Sequence, residues 1–234
     1  MKLLFAYFTD VHGNIDALDA VIEDTHSCGA DRFVCGGDMI GIGPFTNEVL
    51  ERLFNTTSLQ MITGNHDEAV LALKYGRPYP ESHSHAKKHH QWIADQLDNQ
   101  LAKKLITLPR ELTFIEDHLR FLITHYPFKQ GKKESPISED PFMPIISEPN
   151  LNAIEELFNE ESTFDFIGFG HHHILHNFKS ERTHFVNPGA LGCHALAEAR
   201  YALVYANEKE IHVEFKSQLD VPESAFLMRA FHNY

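Results

Sequence analysis

Residues 3–12 read LLFAYFTDVH, an apolar run that breaks off at Thr9 and meets Asp10 and His12 at once. The run is far shorter than the roughly 20 residues a membrane span needs, so it is expected to be a buried first strand. The same construction returns four times: RFVCGGD ends at Asp38, LQMITGNHD at Asp67, LRFLITH at His125 and FDFIGFGHHH at His173. In open α/β sheets functional groups collect beyond the carboxyl ends of strands, so ends far apart in sequence can meet in one crevice. One or two such coincidences would mean little, whereas five set the expectation of a shared site.

Working outward, the first half alternates strand-like and helix-like stretches. Ile15, Leu18, Val21 and Ile22 recur at helical spacing over 15–26. A strand is expected over 33–35, a helix over 45–54, a strand over 59–62, a helix over 68–75 and one long helix over 85–108, ended by Pro109. Short β-rich runs then follow at 119–124, 164–169, 174–178, 184–186, 201–205 and 211–215, which favours a second, more antiparallel sheet. The expected fold is α/β (α+β), a four-layer αββα sandwich of two mixed sheets flanked by helices, in a single domain over 1–234. Residues 126–149 carry Pro127, Pro136, Pro141, Pro144 and Pro149 and read as a long irregular loop, often a functional surface.

Composition narrows the partners. At 234 residues with 43% hydrophobic content the chain can bury a sizeable core. Its charge of −13 is spread along the chain, and the basic residues form no stripe, which disfavours nucleic acid as a routine partner. Bound divalent cations would reverse that field locally and let an acidic protein handle phosphate. Cys28, Cys35 and Cys193 fit no CxxC or zinc-knuckle spacing, so a reduced, cytoplasmic setting and no membrane association are expected. Self-association into a homo-oligomer is left open.

The residue types at the five strand ends suit metal binding. Asp10 and His12 lie two apart, so an extended segment sends both to one side, although Asp10 alone reads as a helix cap. Asp38 follows Gly36 and Gly37, and one carboxylate can bridge two ions through its two oxygens. Asn65 offers a neutral oxygen; its neighbour His66 faces elsewhere and is left for proton transfer, with Asp67 placed to hold one of its ring nitrogens. His171 and His173 repeat the spacing of two, with His172 on the opposite side. His125 alone reads as a core histidine, and only the pattern promotes it. A second cluster, His83, His85, His89 and His90, reads as a solvated helix face beside Lys87 and Lys88, against the alternatives of a substrate-lining helix or a third metal site. Trp92 reads as a packing anchor.

These blocks resemble the calcineurin-like metallophosphoesterases. That family runs DxH, GD, GNH(D/E), a lone His and GHxH, and here the order is DVH at 10–12, GD at 37–38, GNHD at 64–67, His125 and GHHH at 170–173. DVHGN, GGDMIGIGP and VNPGALG are similar to the small bacterial and archaeal phosphodiesterase branch, whereas the GDxxDRG and GNHE of the serine/threonine phosphatases are absent. His172 stands where relatives carry Thr or Ser. The resemblance implies a first ion on Asp10, His12, Asp38 and His173 and a second on Asp38, Asn65, His125 and His171. Both ions would be divalent transition metals (manganese, iron, zinc, nickel or cobalt). It further implies hydrolysis of a small phosphodiester or phosphomonoester by in-line attack of a hydroxide shared between the ions, His66 protonating the leaving group. A dinucleoside polyphosphate or other nucleotide substrate, a non-catalytic metal-binding scaffold and a metal-storage protein are the competing readings.

Overall fold

The computed structural model describes residues 1–193, 198–208 and 210–219; residues 220–234 of the expected domain lie outside the described ones. Ten strands form two five-stranded sheets among these residues. The first sheet has the order β10 (Ile211–Leu219), β9 (Glu198–Ala206), β1 (Lys2–Phe8), β2 (Phe33–Cys35), β3 (Leu59–Met61). The second runs β4 (Glu111–Glu116), β5 (Leu119–Thr124), β6 (Phe166–Gly168), β8 (His184–Pro188), β7 (Leu175–Lys179). Helices α1 (Ile15–Ser27), α2 (Thr46–Asn55), α3 (Asn65–Lys74), α4 (Lys87–Gln96), α5 (Asn99–Leu105) and α6 (Leu151–Leu157) complete it.

Alternation along β1 produces the layers. Phe5 and Tyr7 face the second sheet and pack with Phe121, Ile123 and Phe166, while Ala6 and Phe8 face the helices with Leu18, Val21 and Leu50. A register shift between Leu3 and Phe5 puts Leu4 on the same face as Phe5, so two consecutive large residues enter the space between the sheets. Beyond the second sheet, Ile154 and Phe158 pack with Tyr126, Phe169 and Phe185. The four layers expected from the sequence are therefore present.

Several boundaries differ, each for a local reason. Runs 201–205 and 211–215 do not extend the second sheet: β9 pairs antiparallel with β1, returning the chain to the first sheet. The second sheet is mixed, since β5, β6 and β8 pair in parallel and only its two outer pairs are antiparallel. The stretch 85–108 is a 3-10 turn, Glu81–Ala86, followed by α4 and α5. Asp98 separates those two helices, its carboxylate accepting from Gln100 N–H at 2.7 Å and Leu101 N–H at 3.1 Å as an N-cap. Helix α3 begins at Asn65 rather than at 68, and β4 and α6 were not foreseen. Trp92 is half exposed and stacks on His89 with ring centroids 5.6 Å apart, so it is no core anchor.

The loop after β1 is tied on both sides. Asp10 N–H donates to the Gly37 carbonyl (3.0 Å) and His12 N–H to that of Asp38 (2.9 Å), continuing the β1–β2 ladder past both strand ends. On the other flank Leu191 N–H donates to Thr9 (3.0 Å) and Gly192 N–H to Asp10 (3.0 Å). Gly192 sits so close that a Cβ would collide with the Val11 carbonyl, a backbone atom that cannot swing aside. Gly192→Ala is expected to lower stability by about 3 kcal/mol, read as a lower urea midpoint with unchanged slope.

Candidate metal centre

Seven side chains converge at the carboxyl ends of β1, β2, β5 and β6 and the start of α3. Asp10, His12 and His173 form one group and Asp38, His125 and His171 another, the ligand atoms within each lying no more than 4.8 Å apart. In the first, His12 Nε2 lies 2.9 Å from His173 Nε2, and both face Asp10 Oδ1, at 3.7 and 3.4 Å. In the second, Asn65 Oδ1 lies 2.8 Å from His125 Nε2 and 2.6 Å from His171 Nδ1. Asp38 stands between the groups, its Oδ2 3.1 Å from His125 Nε2 and 3.9 Å from His12 Nε2. Thus all seven residues expected to bind metal come together, and Asp38 has the central place.

The backbone is bent to achieve this. Among the described residues nine non-glycines have positive φ, and five of them are Asp10 (56°), His12 (50°), Asp38 (52°), His171 (68°) and His173 (59°). The left-handed region costs a side-chain-bearing residue about 1–2 kcal/mol, and such strain gathers where function over-determines the backbone. It also corrects the reading of Asp10 as a cap. Helix α1 is capped by Asn14, whose Oδ1 accepts from Ala17 N–H at 3.1 Å.

Hydrogen bonds show that the cluster suits cations. His12 Nδ1 points at the Ile40 carbonyl (3.2 Å) and His125 Nδ1 at that of Gly36 (2.8 Å); a carbonyl can only accept, so each Nδ1 carries a proton. The Nε2 atoms of both rings then face other acceptors. Asp38 Oδ2 is buried, and its contact with His125 Nε2, at 3.1 Å, is that of an ion pair. Lone pairs converging in the dry interior are costly unless something positive sits among them. Without metal, protons fill that role. Burial pulls His125 and His173 down, but Asp38 and Asp10 outweigh it and push them up to about 9 and about 10. Burial alone would raise the carboxylates; His125 and His66 hold Asp38 well below the usual range, and His173 lowers Asp10. Burial leaves His12 at about 4 and His171 at about 3, so both rings are neutral at pH 7 and ready to coordinate. The residues present fit a pair of divalent ions.

His66 lies against this cluster without entering either group. Its N–H donates to Asp38 Oδ1 (2.8 Å), and its ring packs edge-on to His12, centroids 5.0 Å apart. Burial, together with His12, His90 and His83, holds it well below the usual imidazole range against the pull of Asp38. The expected partnership with Asp67 is not formed. Asp67 accepts from Gly64 N–H (3.0 Å) and Ile40 N–H (3.1 Å), joining the start of α3 to the loop after Asp38, and its burial beside Asp38 raises its pKa. As third residue of α3 it points back along the helix to cap it.

Of the second histidine cluster only His85 is exposed, beside Lys87 and Lys88. His90 is buried with Nε2 3.0 Å from His66 Nδ1, and Asn65 Nδ2 donates to His83 Nε2 at 2.7 Å. That bond orients the Asn65 amide, turning its oxygen toward His125 and His171. His89 Nε2 meets the Ile42 carbonyl at 2.6 Å. No periodicity betrayed His83 and His90, because they come from a 3-10 turn and a separate helix folded over α3. His172 turns away from both metal groups and stacks on His176, Nδ1 2.8 Å from Nε2.

The model of the calcineurin-like phosphoesterase superfamily domain matches residues 1–209. The chain belongs to the calcineurin-like phosphoesterase superfamily. An uncharacterised protein of Methanocaldococcus jannaschii is 27% identical over 236 residues, covering 92% of this chain and 86% of that protein. A hypothetical protein from Pyrococcus horikoshii OT3 superposes with a TM-score of 0.77 at 17% identity over 97% of this chain and 90% of that one. A metallophosphoesterase from Sphaerobacter thermophilus gives a TM-score of 0.67 at 21% identity, covering 97% and 98%. At these identities the two structures speak to the fold. The metal-binding, hydrolase character follows from the calcineurin-like family and the two His/Asp groups together. Among the described residues no helix is long and apolar enough to cross a membrane.

Proposed function

We propose that this calcineurin-like protein is a dinuclear phosphoesterase hydrolysing a small phosphodiester or phosphomonoester. Asp10, His12, Asp38 and His173 would hold one divalent ion, and Asp38, Asn65, His125 and His171 the other. The observation that carries this is the meeting of six His and Asp ligand atoms in two groups, with the Asn65 oxygen beside one and Asp38 between them. When bound, two such ions supply a water of pKa near about 7 and screen the phosphoryl oxygens. Imidazole mixed with oxygen suits manganese, iron, cobalt, nickel or zinc. His66 then gives a proton to the departing oxygen; an anionic phosphoryl group beside it favours the charged ring. An intracellular, reducing setting belongs to the same reading, from the odd count and unrelated spacing of Cys28, Cys35 and Cys193.

The adjoining cavity, about 480 Å³, is bordered by Asn65, His66, His83 and His85 on one side and by Phe142, Met143 and Ile145 on the other. Its one lysine, Lys129, donates to the Asp140 carbonyl at 2.6 Å, and Asp140 lines the same cavity. Beyond the ions the lining thus offers one positive charge balanced by one negative. A short ester with uncharged organic groups suits this better than a dinucleoside polyphosphate, whose extra charges would meet Lys129 alone, already balanced by Asp140. The test is hydrolysis of bis(4-nitrophenyl) phosphate, 4-nitrophenyl phosphate and diadenosine tetraphosphate by protein loaded in turn with each metal. Turnover of one of the two small esters above the tetraphosphate is expected, with metal raising stability by about 4 kcal/mol at 1,000 times Kd. No turnover of any ester and no thermal shift with any metal would remove the proposal.

A further inference from the structure

We infer that His90 and Tyr79 are positioning residues that fix the tautomer of His66, keeping a proton on Nδ1 so that Nε2 is the nitrogen exchanging protons. This rests on the reading of His66 as donor to the leaving oxygen. A chain of three contacts has its direction set by its far end. Tyr79 OH lies 3.0 Å from the His83 carbonyl, which can only accept, so the single phenolic proton is spent there. His90 Nδ1, 2.8 Å from the same phenol oxygen, must then be the donor, which leaves His90 Nε2 bare. His66 Nδ1, 3.0 Å away, is consequently the donor to His90 Nε2. Burial holds His90 down to about 3, so its ring is neutral, and no other proton arrangement satisfies all three contacts. Burial keeps the Tyr79 phenol protonated, so the far end does not titrate near neutrality.

The location matches such a role. His90 is buried in α4 and packs its ring 5.0 Å from that of His66, while Tyr79 lies before the 3-10 turn, outside both metal groups. Asp67, adjacent in sequence, is committed to two backbone N–H groups, which leaves the orienting task to residues 13 and 24 positions further along the chain. In the reaction the oxygen of a water bonds to phosphorus as the P–O bond to the leaving group breaks and the His66 Nε2 proton passes to the departing oxygen. The alcohol departs, and His66 is left neutral, its Nδ1 proton still donated to His90 Nε2.

Leaving groups separate this from a packing role. 4-Nitrophenolate departs as a stable anion and needs little help from an acid, whereas phenolate does. Tyr79→Phe, which deletes one oxygen, and His90→Leu are expected to lower kcat on diphenyl phosphate roughly 10- to 100-fold, with at most a small change on bis(4-nitrophenyl) phosphate and with KM and metal content unchanged. His90→Gln, whose amide oxygen can accept from Nδ1, should recover most of the loss. In the metal-free chain, long-range ¹H–¹⁵N spectra should show His66 protonated at Nδ1 alone, and a tautomer mixture in Tyr79→Phe. Equal losses on both esters, or an unchanged tautomer in Tyr79→Phe, overturn the positioning role while a leaving-group dependence in His66→Ala leaves His66 itself standing. A His66→Ala protein with no such dependence overturns the donor reading and this inference together.

Discussion

Asp38→Asn is expected to reduce phosphoester turnover by about 1,000-fold or more, equivalent to about 4 kcal/mol of transition-state stabilisation. Asparagine keeps the size of the side chain and an oxygen to accept the His66 N–H bond made at 2.8 Å. It removes the negative charge that stands between His125 and His12 and serves both metal groups. A neutral amide can present its oxygen to one ion, but its NH2 group then faces the other. Metal content should fall with activity, which steady-state kinetics beside elemental analysis of the purified variant would check. A variant retaining both ions and most of its turnover would show that Asp38 does not bridge.

His66→Ala should separate chemistry from metal binding. Loss of a general acid costs roughly 10²- to 10⁴-fold in kcat, most on esters of poorly leaving alcohols. The backbone N–H bond to Asp38 survives truncation, and no metal group includes His66, so ion content and stability with metal should stay close to those of the parent. Measured kcat falling while metal content holds is the expected pattern. A fall in both would instead make His66 part of the cradle.

The contrast between these two residues shows what the sequence could carry. Asp38, Asn65, His125 and the His171/His173 pair were legible because each ends an apolar run, and strand ends on two sheets are forced to one edge of the sandwich. The four layers followed from the same alternation, visible in Phe5 and Tyr7 against Ala6 and Phe8. What escaped depended on contacts with no periodic signature. Strand β9 reads locally like its predecessors, and only its pairing with β1 assigns it to the first sheet. His83 and His90 sit in polar surroundings typical of an exposed helix, yet α4 folds over α3 and buries the latter against His66. Asp67 beside His66 suggested a dyad, but helix geometry sends the third residue of α3 back to its own N-terminus.

The central claim is that distant strand ends hold a pair of cations around one carboxylate. Anomalous diffraction from crystals grown with manganese tests it most directly. The account predicts two strong peaks flanking Asp38, one among Asp10, His12 and His173 and the other among Asn65, His125 and His171. A lone peak, or strong peaks only at His172 and His176 or elsewhere on the surface, would contradict it.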